Sequence, residues 1–465
     1  MSKRVVFTTP VQGMYDYFAI SVRRMIRLRT VVKAFGLRFI RENIPEIEIL
    51  EYPSWRKFKK RLAEGVDVLG ISFYMKDIPI VREMVRLARE AGVKEVWGGN
   101  YGVLTNGIEE IFDETFIGYA ENEISMKLFN RPVTHIKHPL LKMHVNVRFF
   151  PLYVPYGILF TDRGCKFKCS FCQTHSFVGD PCHIPLDSIE DVIRRYKQAG
   201  VHYLVIMDEN GFQDKDHTEA VFRLFEKYDI YWGICTRAEN LRGRVAELKK
   251  RGFVISLVGV EAMRQSSLES VNKGTSVNKL IETINELHEN HVYVHTTYMI
   301  GYENDTEEQI REDIKALKKV PFDSNQTCIL TPFPATKLYD RFIKKYKVKL
   351  DEPGNFDAYN LVWSHKNFTP ESMDRLWRWA WKQLYSPYRL ARSLYKLFRS
   401  GAIPHSWKPA VKEKNLPERT YPLVTETTHP ATPQLSQTQV PDVVVEAPRN
   451  GNGKKPVGTT KSTVV

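Results

Sequence analysis

The sequence lacks the features that mark secreted and membrane-spanning proteins. Its 465 residues include only six cysteines, too few for a disulfide framework in a chain of this length. No apolar signal segment stands at its start, and no stretch approaches the ~20 consecutive apolar residues of a membrane span. We therefore expect the protein to work in a reducing cytoplasm.

Other absences narrow the choice of fold and ligand. There is no internal repeat, and no G-x-G-x-x-G follows the first predicted strand, which argues against a common type of dinucleotide site. The net charge of +14 suits nucleic acid, anionic lipid or a phosphorylated small molecule, so the charge alone selects none of them. The chain is longer than one hydrophobic core usually serves, which predicts at least two folded units.

Residues 1–130 alternate short apolar runs with helical patterns, which predicts a parallel, doubly wound α/β sheet. Ligands of such sheets bind at the carboxyl ends of the strands, where small residues let a ligand approach the backbone. In "GISFY", "WGGNYG" and "GYAE" the candidate residues are Ser72, Tyr74, Gly98, Gly99, Asn100, Tyr119 and Glu121. A response-regulator-like domain without a cofactor is the alternative.

Half of the cysteines lie within eight positions in "GCKFKCSFC", as Cys165, Cys169 and Cys172. A structural zinc site normally takes four ligands, and a second cysteine pair is missing, although His175 is a conceivable fourth ligand. A thioredoxin-like pair needs only two thiols and leaves Cys165 unexplained. An iron–sulfur cluster usually takes four thiolates, so three would leave one iron open to a small molecule.

This C-x-x-x-C-x-x-C spacing is very similar to the hallmark of the radical SAM superfamily. The resemblance implies a 4Fe-4S cluster whose open iron binds the amino and carboxylate groups of S-adenosylmethionine (SAM). An electron from the cluster then cleaves SAM to a 5′-deoxyadenosyl radical. The residue before the third cysteine, Phe171, is expected near the adenine.

Six apolar strands with helices between them follow from "YGILFTDRG" to "QTCILTPFP" and predict a partial (β/α)6 barrel. The resemblance places SAM contacts at the strand ends, where barrel chemistry is located. The expected residues are Asp208, Glu209, Asn210, Arg237, Glu261 and Gly301. Each has an ordinary alternative, because an acidic strand end can cap the next helix and a glycine can serve a turn.

The run "VDVLGISFYM…VWGGNYG…FIGYAENE" resembles the Rossmann-like cobalamin-binding domain that precedes many radical SAM domains. Tyr119-Ala120-Glu121 stands where Gly-Glu-Gly is usual. The D-x-H-x-x-G signature of other cobalamin proteins is missing, and the first histidine is His135. The resemblance therefore implies a cobalamin without a histidine ligand from this domain.

The segment from 371 to 400 carries seven basic residues against two acidic ones, with many aromatics and a break at Pro387. Three interpretations stay open: an aromatic face packed on the barrel, a membrane-surface anchor, or a single-stranded nucleic-acid site. We expect a cobalamin-binding domain (1–130), a linker (131–150), a radical SAM partial barrel (151–345), a helical region (346–415) and a disordered tail (416–465).

The resemblances together imply a cobalamin-dependent radical SAM methyltransferase acting on an unactivated carbon. The expected partners are a small-molecule substrate, for which the basic, aromatic helices favour a lipid, and a reductant such as flavodoxin or ferredoxin. We also expect peripheral membrane association and no nucleic acid. A radical SAM cyclase, oxidative or carbon–carbon coupling enzyme is the alternative. A methylthio transferase would need three further cysteines in residues 1–164, which have none. The non-enzymatic alternative is a sensor of cobalamin or of redox state.

Overall fold

The computed structural model describes residues 3–11, 28–30, 33–147 and 152–399. The predicted disordered tail, residues 416–465, lies outside this part of the chain. So do the end of the predicted helical region and three residues of the predicted linker. Short 3-10 turns are left out of the element numbering below.

The first sheet has five parallel strands in the spatial order β3-β1-β4-β5-β6. These strands and the helices around them are β1 (Val5–Thr8), α1 (Phe35–Asn43), β3 (Glu48–Leu50), α2 (Trp55–Ala63), β4 (Val68–Ser72), α3 (Ile78–Glu90), β5 (Glu95–Gly99), β6 (Glu114–Phe116) and α4 (Glu121–Phe129). The parallel pairing confirms the predicted doubly wound α/β sheet.

Close packing on one face of this sheet depends on a glycine within β4. A Cβ atom on Gly70 would lie 2.6 Å from the ring of Phe7, so no larger residue fits without moving β1. Phe7 in turn meets Trp97 edge to face, with ring centroids 6.2 Å apart. Because the five strands run parallel, their carboxyl ends come to one edge of the sheet.

The second sheet has the order β15-β14-β13-β12-β11-β8-β7-β2. Its strands are β2 (Leu28–Thr30), β7 (Lys142–Val147), β8 (Leu152–Leu159), β11 (Tyr203–Ile206), β12 (Tyr231–Thr236), β13 (Phe253–Glu261), β14 (Tyr293–Ile300) and β15 (Ser324–Ile329). The six strands β8 and β11 to β15 pair in parallel, which confirms the predicted partial barrel. A two-stranded ribbon, β9 (Asp162–Arg163) and β10 (Cys182–His183), follows β8.

Two strands of this sheet were not predicted. β7 pairs antiparallel with β8, and β2 pairs antiparallel with β7. β2 comes from residues 1–130 but extends the barrel sheet. Its three residues are too few to show a strand period, and the sequence around them was interpreted as the start of a helix.

Helices alternate with the barrel strands and continue after the last of them. They are α5 (Thr174–Val178), α6 (Leu186–Gln198), α7 (Lys215–Lys227), α8 (Val245–Lys250), α9 (Gln265–Ser270), α10 (Val277–Glu289), α11 (Glu307–Leu317), α12 (Lys337–Lys345), α13 (Pro370–Leu384) and α14 (Pro387–Arg399). The last two helices are separated at Pro387, where the break was predicted.

The aromatic side of α13 packs against the barrel. Met373, Leu376 and Trp377 are buried, and the Trp377 indole donates a hydrogen bond of 2.8 Å to the carbonyl of Thr327 in β15. On α14 the buried ammonium of Lys396 pairs with Asp323 at 2.8 Å. Within the described residues, every helix is too short or too polar to cross a membrane.

Candidate active site

The three closely spaced cysteines lie on the loop between β9 and β10, at the mouth of the barrel. The barrel holds this loop at its middle, because the Ser170 N–H donates to the Val271 carbonyl (2.9 Å) and the Ser170 carbonyl accepts from the Leu338 N–H (2.8 Å). The Cys172 N–H closes a turn onto the Cys169 carbonyl (3.2 Å). The cysteines are thus fixed by backbone contacts on both sides.

The thiols are close enough to affect one another electrostatically. Burial raises the pKa of Cys165 and of Cys169, and the neighbouring thiols raise it further, whereas the guanidinium of Arg237 works in the opposite direction. Arg237 Nη1 lies 3.6 Å from Cys169 Sγ. Burial also raises the pKa of Cys235, to about 11, but Cys235 lies within strand β12. A bound cation would favour the thiolate forms of the loop cysteines.

Two side chains of the predicted triplet that follows β11, Asp208 and Asn210, are buried and bond to other residues of the protein. Asp208 accepts hydrogen bonds from the backbone N–H (2.8 Å) and the hydroxyl (2.5 Å) of Thr161, and burial raises its pKa well above the usual range. Asn210 Oδ1 accepts from the Arg237 N–H at 3.2 Å. Its Nδ2 is buried with no hydrogen-bond partner among the described residues.

Glu209, the third member of the triplet, links the two sheets. One carboxylate oxygen accepts from the Tyr119 hydroxyl at 2.6 Å, and the other accepts from the Gly164 N–H at 3.0 Å. Tyr119 follows strand β6 of the first sheet, whereas Gly164 immediately precedes Cys165. The carboxylate therefore connects the first sheet to the cysteine loop.

A buried ion pair lies next to Cys169. Glu261 ends strand β13 in a left-handed conformation (φ 66°) and accepts hydrogen bonds from Lys273 Nζ (3.0 Å) and the Thr297 hydroxyl (3.3 Å). Burial opposes the charge of Lys273, but Glu261 and Cys169 together raise its pKa. Lys273 was missed from the sequence, because a single lysine in a loop gives no pattern that distinguishes it from surface lysines.

The two remaining residues of the predicted SAM site are placed differently. Phe171 precedes Cys172 and packs partly buried against the hydrophobic core. Gly301 directly follows strand β14 and has φ 80°. A Cβ there would lie 3.1 Å from Cε of Met373 on α13, so α13 is the nearest neighbour of this glycine. Contact of either residue with SAM stays a prediction.

A cavity of about 310 Å³ lies between the carboxyl ends of the first sheet and the mouth of the barrel. The first sheet contributes all seven residues expected at its strand ends: Ser72, Tyr74, Gly98, Gly99, Asn100, Tyr119 and Glu121. The barrel side contributes Phe160, Arg163, Phe177 and Glu209. The structure thus brings the predicted strand ends together with Glu209 and with residues that flank the cysteine loop, whereas the three cysteines themselves do not line the cavity.

The walls of the cavity are mainly aromatic and apolar. Tyr101 stacks on Tyr74 (centroids 6.0 Å apart) and on Phe177 (4.2 Å), and Phe177 belongs to α5, directly after the cysteine loop. A Cβ added to Gly99 would meet nothing within 4 Å, so this part of the wall is open to a ligand. Among the described residues that line the cavity there is no histidine.

Arg163 is a second residue that the sequence did not reveal. Its guanidinium makes two hydrogen bonds to the Glu121 carboxylate (2.6 and 3.1 Å) and lies over the Tyr119 ring, 4.0 Å from its centroid. Both charged side chains are almost fully buried, with 5% and 3% exposure. The partners are 42 positions apart in the sequence, so only the fold brings them together.

Comparison with known proteins matches residues 160–317 to the radical SAM superfamily. The chain is 25% identical to an uncharacterized methyltransferase of Pyrococcus horikoshii, over 67% of this chain and 69% of that protein. It is 28% identical to the anaerobic magnesium-protoporphyrin IX monomethyl ester cyclase of Rubrivivax gelatinosus, over 46% of this chain and 38% of the cyclase.

Solved structures share the arrangement of both sheets. The radical SAM methyltransferase TsrM of Kitasatospora setae, solved with cobalamin and a [4Fe-4S] cluster bound, superposes with a TM-score of 0.61. The match covers 83% of this chain and 92% of TsrM, at 14% sequence identity. At that identity the likeness concerns the fold.

Proposed function

Because residues 160–317 form a radical SAM domain, this chain is a radical SAM enzyme, and we propose that it methylates an unactivated carbon with cobalamin as the methyl carrier. The observation that carries the proposal is the cavity. It is bounded on one side by the strand ends of a Rossmann-like sheet and on the other by Arg163 and Phe177, which flank the cysteine loop, and by Glu209. A substrate held there can reach groups bound by either side.

The residues at the barrel mouth suit the cluster and SAM. We assign Cys165, Cys169 and Cys172 as cluster ligands, because their thiols interact and the cations of Arg237 and Lys273 lie beside Cys169. The unpaired Nδ2 of Asn210 and the guanidinium of Arg237 are the groups we assign to the methionyl part of SAM. When bound, the cluster and SAM supply the 5′-deoxyadenosyl radical that removes a hydrogen atom from the substrate.

The first sheet suits a large cofactor with a flat ring system. The open wall at Gly99 leaves room for a ring system, and Tyr74 and Tyr101 offer flat surfaces beside it. We assign residues 1–130 to cobalamin binding and residues 151–345 to the radical SAM barrel; of the expected linker at 131–150, Lys142–Val147 is strand β7 of the barrel sheet. Since the cavity lining has no histidine, its described residues would leave the cobalt without a histidine ligand.

The proposed substrate is a hydrophobic small molecule, such as a lipid, received at or near a membrane surface. Helix α14 supports this, because Tyr388 and Tyr395 are seven positions apart and expose 77% and 64% of their surface. Arg375, Arg378 and Lys382 are exposed on the preceding helix. Flotation with anionic vesicles tests this part: the Tyr388→Ser, Tyr395→Ser variant should float less than the unaltered protein, and no flotation of either would remove it. A flavodoxin or ferredoxin is the proposed reductant.

A second candidate function is a radical reaction without net methyl transfer, such as ring closure. The 28% identity to an anaerobic cyclase favours keeping it. Both reactions start with cleavage of SAM to 5′-deoxyadenosine, so they differ in the second product.

The test is anaerobic reconstitution with iron, sulfide and cobalamin, followed by a product assay with candidate substrates. Methyl transfer predicts both 5′-deoxyadenosine and S-adenosylhomocysteine, whereas 5′-deoxyadenosine alone would favour the second candidate. Cys172→Ala should lose iron and both products. Cys182→Ala, at an exposed cysteine of the adjoining strand β10, is the matched control and should keep them. No SAM cleavage by fully reconstituted protein would contradict both candidates.

A further inference from the structure

A group of metal-ligating side chains lies at the two ends of the cysteine loop, outside the cavity lining. It consists of Asp162, His183 and His217, whose ligand atoms all lie within 4.8 Å of one another. His183 Nδ1 is 2.5 Å from Asp162 Oδ1, and His217 Nε2 is 3.7 Å from the same oxygen. Two imidazole nitrogens therefore converge on one carboxylate.

The fold, rather than surface flexibility, sets these positions. In the ribbon of β9 and β10, His183 is the direct antiparallel partner of Asp162. His217 lies in the first turn of α7, and its N–H donates to the helix-capping carboxylate of Asp214 at 2.7 Å. The two imidazole rings are nearly parallel, with centroids 4.2 Å apart. Asp162 and His217 are buried, whereas the His183 side chain is 47% exposed.

We propose that Asp162, His183 and His217 bind one divalent transition-metal ion, for which zinc is the probe we choose, at the base of the cysteine loop. Two imidazoles and one carboxylate are a ligand set that zinc commonly takes, with remaining positions filled by water. The exposed side of His183 gives solvent access to those positions. This site is separate from the proposed cluster and from the cavity.

The present distances require only small movements to admit the ion. Bonds of about 2.1 Å place neighbouring ligand atoms roughly 3.0 to 3.4 Å apart, and the two measured separations from Asp162 Oδ1 lie on either side of that range. His183 must move away from Asp162 by about half an ångström or more, and its exposure allows this. His217 needs a smaller shift toward the carboxylate.

The proton and the hydrogen bonds around His217 are also compatible with metal binding. His217 Nε2 lies 3.1 Å from the Thr161 carbonyl, so its proton must leave when the nitrogen binds a metal. The Thr161 carbonyl also accepts the Ile184 N–H at 2.9 Å. It therefore keeps a donor after His217 turns its lone pair to the metal.

Metal binding would hold together the two ends of the cysteine loop. Residues 162 and 183 stand at the two ends of the segment that carries all three closely spaced cysteines. A metal joining them to α7 would reduce the freedom of that segment before the cluster is inserted. We therefore expect the metal to slow loss of the cluster without taking part in SAM chemistry.

The test uses reconstituted full-length protein that contains its cluster. One equivalent of zinc is added, unbound metal is removed by gel filtration, and zinc and iron are counted by mass spectrometry. We expect one zinc per chain with the iron content unchanged. X-ray absorption at the zinc edge should show nitrogen and oxygen ligands only.

Variants separate the proposed site from other zinc sites. His183→Ala and His217→Ala should each weaken zinc binding by more than the 10–100-fold typical of losing an outer-shell partner, with iron unchanged. His202→Ala, at an exposed histidine elsewhere, is the control and should bind as the unaltered protein does. Because His217 is buried, His183→Ala is the decisive variant if His217→Ala fails to fold. Sulfur ligands on zinc, zinc gained at the expense of iron, or unaltered binding by His183→Ala would overturn the proposal.

Discussion

The buried ion pair between Arg163 and Glu121 should be a main determinant of stability at the contact between the two sheets. Glu121→Gln removes the negative charge and leaves the guanidinium buried with only neutral neighbours at hydrogen-bond distance. Removing one partner of a buried pair typically costs about 3–5 kcal/mol. At roughly 2–4 °C per kcal/mol for domains of 150–250 residues, the unfolding temperature should fall by about 6–20 °C.

A double-mutant cycle tests whether the cost comes from the unpaired charge. Arg163→Met combined with Glu121→Gln leaves no buried charge, so the double variant should unfold at a higher temperature than the two separate losses would predict. The control is the exposed bidentate pair of Arg131 with Glu46, where the side chains are 46% and 43% exposed. Glu46→Gln should cost at most about 1 kcal/mol.

Thermal unfolding followed by calorimetry and by fluorescence measures the unaltered protein, the two single variants, the double variant and the Glu46→Gln control. A loss below about 2 °C for Glu121→Gln would refute the reasoning, because it corresponds to about 1 kcal/mol or less. Losses that add up in the double variant would also refute it, since additivity means that the two side chains do not act as a pair.

Three further predictions concern single side chains. Lys273→Met leaves the buried carboxylate of Glu261 without its cation, so SAM affinity measured by calorimetry should fall at least about tenfold, whereas Lys279→Met on an exposed helix face should leave it unchanged. Tyr119→Phe removes the 2.6 Å hydrogen bond to Glu209, worth about 1.5–3 kcal/mol for a charged acceptor. The ratio of S-adenosylhomocysteine to 5′-deoxyadenosine should therefore fall. An unchanged ratio would argue against a role for this contact. Burial lowers the pKa of His138 to about 3, below its value in the unfolded chain. Its contribution to the free energy of unfolding is therefore present above about pH 6.5 and is lost as the pH falls toward 3. The urea midpoint should therefore reflect a loss of about 2 kcal/mol between pH 7 and pH 5, and His138→Gln should reduce that loss.

The sequence predicted the main elements of the fold because their signals are local. Long apolar strands such as β13 and β14 alternate with amphipathic helices, and that alternation determines the parallel order of both sheets. Among the strands that escaped prediction, β7 has six residues within the expected linker, whereas β2 and β10 have three and two residues. Such segments become strands only through their tertiary partners, so their own residues carry no periodic signal.

In the candidate site, too, some residues follow from local sequence patterns and others are identified only by the fold. The cysteine spacing and the small residues at strand ends are local patterns, and the seven residues expected at the first sheet indeed line one cavity. Arg163 and Lys273 were missed because each is defined by a partner distant in sequence. A sequence shows that a lysine is present, but only the packing around Glu261 shows that it is buried beside Cys169.

Glu209 shows why the position of a residue in a motif does not settle its role. The sequence places it where the superfamily contacts the methionine amino group, yet one of its oxygens accepts from Tyr119 and the other from the Gly164 N–H. Each carboxylate oxygen has two lone-pair directions, so an amino group could still be accepted beside these two donors. Binding of SAM and attachment of the first sheet to the cysteine loop would then depend on one carboxylate. In that case a ligand on either side of the cavity would act on the other through Glu209 alone, without any long chain of intervening residues.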